Sequence, residues 1–110
     1  MNLVHVRITD FCKYPGGRYA KDGKYSGEDF RENYLKPAFE KAELVVVDLS
    51  GVPGFGSSFL EEAFGGLVRA LDAEPKSVWD RLRLRVHPED ISTISDIRYY
   101  IEHAKTGRPK

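Results

Sequence analysis

Two adjacent serines, Ser57 and Ser58, follow a glycine-rich turn and are the side chains best placed for chemistry in this sequence. The run GVPGFGSS at 51–58 has the glycine spacing of a phosphate-binding loop, but Ser57 stands where such a loop has its lysine. That replacement excludes a nucleoside triphosphatase of this class. Phe59 stands where a dinucleotide-binding fingerprint has its third glycine, and it also breaks the small-residue pattern around a nucleophilic serine.

The same serines begin a predicted helix. Ser58 and Glu61 have the S-x-x-E spacing of a capping box, in which each side chain accepts a hydrogen bond from an amide of the first turn. The free amides and partial positive charge of a helix start favour an anion or a phosphoserine, and Arg18 and Arg31 are candidates to clamp that anion. A purely structural role, in which Ser58 caps the helix and the preceding glycines permit the turn, fits the same spacing.

No other group of residues has the composition of a catalytic or metal centre. His5, His87 and His103 lie on separate predicted elements without i, i+4 spacing, so neither a zinc site nor a histidine base is indicated. The single cysteine, Cys12, cannot form an internal disulfide and is interpreted as a small half-buried side chain. We expect a protein without enzymatic activity, metal or cofactor.

Three predicted strands position these residues. Leu44 to Leu49 is a short and nearly continuous apolar run, which predicts a strand buried on both faces. Leu3 to Thr9 and Arg81 to Val86 alternate apolar and polar residues, which predicts half-buried strands. Asp22-Gly23 suits a two-residue turn, so we also expect a hairpin between Arg18 and Tyr25.

Three amphipathic helices are predicted between and after the strands. The first begins at the N-cap Ser26 and should be kinked or split near Pro37, the second begins at Ser58, and the third begins near Pro88. A further helical turn is expected at Ser77 to Trp79. The apolar stripes are Phe30, Tyr34, Ala38, Phe39 and Ala42, then Leu60, Ala63, Phe64, Leu67 and Leu71, then Ile91, Ile94, Ile97, Ile101 and Ala104.

Strands that alternate with helices predict one small α/β domain at 1–105. We expect a mixed sheet of about four strands, the hairpin included, packed mainly on one face against three to four helices. The tail at 106–110 should be frayed. Gly65-Gly66 inside a helix is unfavourable by roughly 1 kcal/mol per residue relative to alanine, so we expect either the sheet or a partner to approach that backbone closely.

The overall charge limits the classes of partner. Seventeen basic residues balance seventeen acidic ones among 110 residues, so no global field favours nucleic acid or an anionic membrane. No apolar run approaches the ~18 residues that span a bilayer, and the N-terminus lacks the pattern of a secretory signal. We expect a cytoplasmic protein. A candidate basic ridge of Arg81, Arg83 and Arg85 with the tail provides a weaker nucleic-acid hypothesis.

The stretch VVVDLSGVPGFGSSFLEEAFGGLV resembles the strand, turn, serine pair and helix of STAS domains, the anti-sigma-factor antagonist fold. More closely, the chain resembles a bacterial family of STAS-like domains of unknown function. Its recurring segments appear here as Pro15 to Tyr19, Asp22-Gly23, Ser26 to Arg31 and Gly56 to Leu67. The resemblance covers most of the chain, from the first strand to the final helix.

The resemblance implies a non-catalytic regulatory module that binds a protein partner. In the phosphoswitch branch of STAS proteins, an ATPase-type kinase phosphorylates the first serine of a D-S-S-G turn, the position of Ser57 here. In this chain Gly56 replaces the aspartate of that turn and Phe59 replaces its last glycine. The alternative is a small-ligand or nucleotide-phosphate binding domain that uses the same helix start. The predicted contact residues are Gly54, Phe55, Gly56, Ser57, Ser58, Phe59, Glu61 and Glu62, with the two phenylalanines as anchors if they are exposed.

Overall fold

The apolar run at Leu44 forms the central strand of a three-stranded sheet in the computed structural model, which describes residues 2–104. The strands are β1 (Leu3–Arg7), β2 (Leu44–Asp48) and β3 (Leu82–Arg85). Their order is β1-β2-β3, and both pairings are parallel. The α/β class is therefore confirmed. The prediction of a mixed sheet of about four strands is wrong, because the sheet has three strands in the described part of the chain.

The expected hairpin at 18–25 does not form. A 3₁₀ turn at Ala20–Asp22 occupies its place, and the backbone just before that turn bonds to the start of the next helix. The amides of Gly27 and Glu28 donate to the carbonyls of Gly17 and Arg18, at 2.9 and 3.0 Å. The local turn preference of Asp22-Gly23 is satisfied by this short turn without a partner strand.

Two long helices connect the strands, and each contains one π-helical turn. Helix α1 consists of α-helical segments Gly27–Phe30 and Lys36–Lys41, joined by the π-helical segment Arg31–Leu35. Helix α2 has the same plan, with α-helical Ser57–Leu60 and Gly66–Leu71 on either side of π-helical Glu61–Gly65. Two shorter helices follow, α3 (Pro75–Asp80) and α4 (Ser92–Glu102), while 3₁₀ turns occur at Ile8–Asp10 and Pro88–Asp90.

The interruption of α1 lies just before the proline that predicted it. The amide of Lys36 donates to the carbonyl of Arg31, five residues back, instead of four as in a regular α-helix. Pro37 then falls in the first turn of the second α-helical segment, where its missing amide is tolerated. Ser26 is the N-cap, fully buried, and its hydroxyl accepts from the amide of Asp29 at 3.0 Å.

The helices cover one face of the sheet. Val6, Val45, Val47 and Leu82 point towards them and belong to one hydrophobic core, which includes most of the predicted stripes. We call this the inner face and the opposite side the outer face. None of the helices within residues 2–104 combines the length and apolar character needed to cross a bilayer. The predicted frayed tail at 106–110 lies outside the described residues.

Candidate functional site

The two serines lie at the exposed start of α2, immediately after the loop that follows β2. Gly56 is the N-cap, and Ser57 is the first helical residue. Both serine side chains are exposed, and within residues 2–104 neither hydroxyl takes part in a hydrogen bond. The predicted capping box is therefore wrong. The helix begins two residues earlier than that pattern requires, so Ser58 lies inside the first turn and Gly56 has no side chain with which to cap it.

The two phenylalanines that flank the serines differ in exposure. Phe59 is fully buried, with its ring stacked on Phe30 at a centroid distance of 6.0 Å. Phe55 is partly buried, and its centroid lies 5.8 Å from that of Phe59. Phe59 therefore serves the core and cannot anchor a partner. Phe55 remains accessible, beside the exposed Gly54.

Glu61 and Glu62 are bound by three arginines that come from different parts of the chain. We call the five residues, Arg18, Arg31, Arg69, Glu61 and Glu62, the arginine–glutamate cluster. Arg31 donates to the Glu62 carboxylate at 2.5 Å and to its backbone carbonyl at 3.2 Å. Arg69 donates to Glu61 at 2.8 Å. Arg18 pairs with Glu61 and lies 3.2 Å from Glu62.

The burial of this cluster is unusual for charged residues. The side chains of Arg31 and Glu62 are only 11% and 10% exposed. Long charged residues are almost never buried unless they are paired, and here each buried carboxylate has more than one cationic partner. Besides Glu62, Arg31 binds the carboxylate of Glu32, which accepts a hydrogen bond from its guanidinium at 2.8 Å. The cluster is consequently a set of compensated charges that joins the loop before α1 to both long helices.

The pairing shifts the titration of Glu61. Burial alone would raise the pKa of its carboxyl, but hydrogen bonds from Arg69 and Arg18 outweigh that effect and hold the pKa below its ordinary value. The pKa of Arg18 is raised in turn, chiefly by its hydrogen bond to Glu61. Glu61 therefore stays ionised in the folded protein at neutral pH.

The two π-helical turns contact each other at the cluster. Glu61 and Glu62 begin the π turn of α2, and Arg31 begins that of α1. The helices approach very closely beside them: a Cβ on Gly27 would lie 2.5 Å from the carbonyl oxygen of Phe59. π turns are frequently found at functional sites, so their coincidence with buried charges marks this helix pair as the most specialised part of the fold.

The close approach predicted at Gly65-Gly66 is present, and within residues 2–104 it comes from the helices and not from the sheet. A Cβ on Gly66 would lie 2.5 Å from a terminal nitrogen of Arg31, and a Cβ on Gly65 would lie 3.3 Å from the carbonyl oxygen of Tyr100 in α4. Both glycines are buried. They provide the room in which the guanidinium of Arg31 reaches Glu62.

The sequence predicted several members of this site but not their arrangement. Arg18 and Arg31 were expected to hold an external anion, and instead both hold carboxylates of the same chain. Arg69 was missed entirely. Its spacing of seven and eight residues from Glu62 and Glu61, about two helical turns, is a signal that could have placed it on the same face.

The remaining candidate residues lie elsewhere. Arg81 is not part of a basic ridge, because its guanidinium donates to the carbonyls of Phe39 and Ala42 at 2.6 and 2.7 Å and so fastens the end of α1. Cys12 was predicted to be half-buried and is buried, and burial raises the pKa of its thiol. Within residues 2–104, no cluster of three or more His, Cys, Asp and Glu side chains is arranged to hold a metal ion.

Comparison with known proteins agrees with the motifs. Residues 26–78 match the model of a family described as STAS-like domain of unknown function (DUF4325). The matched segment starts at the N-cap of α1 and includes β2, the serine turn and all of α2. The comparisons with curated proteins and with solved structures found no match. The resemblance is confirmed over residues 26–78, which contain the segments Ser26 to Arg31 and Gly56 to Leu67. Its expected extension from the first strand to the final helix lies outside the matched residues.

Proposed function

Because this chain carries a STAS-like domain of the family of unknown function, we propose that it is a non-catalytic regulatory module that binds a protein partner reversibly at the start of α2. Phosphorylation of Ser57 controls that contact. The observation that carries the proposal is a pair of exposed serines without hydrogen-bond partners among residues 2–104, in the segment that matches the family. Exposed hydroxyls with no role in the fold are free to be modified.

The surroundings of Ser57 favour a phosphate. The first turn of a helix has unpaired amides and a partial positive charge, both of which stabilise an added anion. Glu61 lies one turn further along α2, but its carboxylate is already bound by Arg69 and Arg18, so the repulsion from it is reduced. The phosphate adds close to two negative charges on a surface where Phe55 offers a partner apolar contact. A partner that fits the unmodified surface would lose the apolar contact with Phe55 and would meet the added negative charge of the phosphate.

The alternative, a small-ligand or nucleotide-phosphate site at Ser57 and Ser58, has less support. The arginines that would clamp the ligand, Arg18 and Arg31, are both engaged with glutamates, so binding would have to break those pairs. A thermal-shift screen with inorganic phosphate and nucleotides separates the two proposals. A rise in melting temperature of several degrees that depends on Arg18 would favour the ligand site.

The decisive experiment compares partner recovery with wild-type, Ser57→Ala and Ser57→Asp proteins in quantitative pull-downs. Ser92→Asp is the matched control, since Ser92 is also an exposed serine at the first position of a helix but lies outside the matched segment. We expect Ser57→Asp to change recovery of at least one partner by about tenfold, the scale of a 1.4 kcal/mol difference. Equal recovery by the Ser57→Asp and Ser92→Asp proteins would refute the switch.

A further inference from the structure

The outer face of the sheet is open. His5, Arg7, Arg83 and Arg85 point to this side, and all four side chains are exposed. In the part of the chain that the structure describes, the helices pack on the inner face, and none covers these residues. Parallel sheets are almost always covered on both faces, so an uncovered face on a parallel sheet indicates that something else lies against it.

Apolar residues form a strip in the middle of this face. Leu3 and Leu44 are neighbours in register, and Leu3 is 46% exposed. Val46 follows two residues along β2, between His5 and Arg83. Val46 is largely buried, yet it is not a member of the hydrophobic core that lies beneath the helices. The strip therefore belongs to the outer face alone.

Positive charges border the strip. Arg7, Asp48 and Arg85 lie side by side across the three strands, and Arg83 lies two residues before Arg85. Asp48 is engaged locally, since its carboxylate accepts from the hydroxyl and the amide of Ser50 at 2.6 and 2.9 Å. Three arginines against one carboxylate leave this face with an excess of two positive charges in a chain whose total charge is zero.

We propose that the outer face binds an amphipathic helix of a partner protein, with its apolar stripe on Leu3 and Leu44, beside the largely buried Val46, and acidic side chains against the arginines. A helix is the usual cover of a parallel sheet. Charge complementarity selects an acidic one. Nucleic acid fits less well because the apolar strip offers no contact to phosphates and the chain has no basic excess. This surface is separate from the serines of α2 and does not depend on their modification.

The test is a titration of the isotope-labelled chain, followed by NMR, with a synthetic helical peptide of about 20 residues, long enough to be helical in water. Its leucine stripe is flanked by glutamates, and a second peptide has lysines in their place. We expect saturable shifts of β1, β2 and β3 amides with the glutamate peptide only. Arg7→Glu/Arg85→Glu should weaken binding about tenfold or more. Arg98→Glu, an exposed arginine on α4, is the matched control and should leave binding within about twofold.

Each other result overturns the proposal. Shifts confined to α2, equal binding of the lysine peptide, or no response to either peptide would remove the acidic helix as the occupant. Salt-dependent binding of single-stranded DNA to these strands, without peptide binding, would assign the face to nucleic acid. Sedimentation that shows dimers broken by Arg7→Glu/Arg85→Glu would assign it to a second copy of the chain. If the reversed pair does not fold by circular dichroism, Arg7→Gln/Arg85→Gln serves as the milder variant.

Discussion

Replacing Glu62 with glutamine tests whether the arginine–glutamate cluster holds the two long helices together. The substitution keeps the size of the side chain and removes its charge. Glu62 is 10% exposed and lies within 3.7 Å of three arginines. Breaking a buried ion pair by removing one partner typically destabilises a protein by about 3–5 kcal/mol. Because the change leaves positive charges without their counterion, its effect should be large.

The contacts that remain after the substitution reduce the expected destabilisation below that general range. Arg31 keeps its bond to Glu32 and its bond to the backbone carbonyl of residue 62, while Arg18 and Arg69 keep Glu61. One charge-assisted hydrogen bond and part of a second are lost, each of about 1.5–3 kcal/mol. We therefore expect Glu62→Gln to lower the free energy of unfolding by about 2–3 kcal/mol. For a domain of this size the melting temperature should fall by roughly 10 °C.

Chemical denaturation followed by circular dichroism measures this loss, and Glu32→Gln is the control. Glu32 binds the same guanidinium, but its side chain is 42% exposed, and exposed pairs contribute about 1 kcal/mol or less. A free energy of unfolding for Glu62→Gln within about 0.5 kcal/mol of the wild type would refute the reasoning. The reasoning would also be refuted if Glu62→Gln and Glu32→Gln lowered the free energy of unfolding by the same amount.

Three further outcomes are expected. Gly27→Ala should destabilise the fold by about 1–3 kcal/mol, because its Cβ would lie 2.5 Å from a carbonyl oxygen of α2. Gly17→Ala is the control and should not destabilise the fold, because no atom lies within 4 Å of the new Cβ. Ser26→Ala should lower the free energy of unfolding by about 1–2 kcal/mol, because the N-cap hydrogen bond is lost. Ser58→Ala should leave the free energy of unfolding within about 0.5 kcal/mol of the wild type. A larger loss for Ser58→Ala would support the capping box after all. The pKa of Glu61 is lowered in the folded protein, so its ionisation stabilises the fold above the ordinary value of about 4.3. The unfolding free energies of wild type and Glu61→Gln should begin to converge as the pH falls below that ordinary value, and the convergence should be complete only below the folded pKa.

The elements that follow from hydrophobic periodicity were predictable from the sequence. The apolar run at Leu44 forms the central strand, and Phe30, Leu60 and Phe64 lie in the core as their helical spacing indicated. These predictions succeed because burial of an apolar face determines the period of each element, and that period is written in consecutive residues.

The features that depend on distant residues were not predictable. Asp22-Gly23 is a good hairpin turn in isolation, but the segment around it bonds to α1, and Arg18 reaches across to Glu61. The S-x-x-E spacing suggested a capping box, but the Glu61 carboxylate instead binds Arg69. A π turn has no local composition of its own, because its extra residue is stabilised by the contacts that surround it. Tertiary contacts overrode local preference at each of these positions.

The π turns also fix the rotational phase of each long helix. One residue inserted into an α-helix that stayed regular would turn everything beyond it by about 100° around the axis, but a turn closed by a bond to the fifth residue back takes up the extra residue. In α2 the π turn determines how Gly66, Leu67 and Val68 are oriented around the helix axis relative to Phe59 and Leu60. Both ends of the helix therefore present apolar side chains to the core. Deleting one residue between Glu61 and Gly65 should therefore close the wide turn into a regular α-helix whose two ends still face the core. The loss of a single residue should therefore be tolerated better at these two turns than elsewhere in the two long helices.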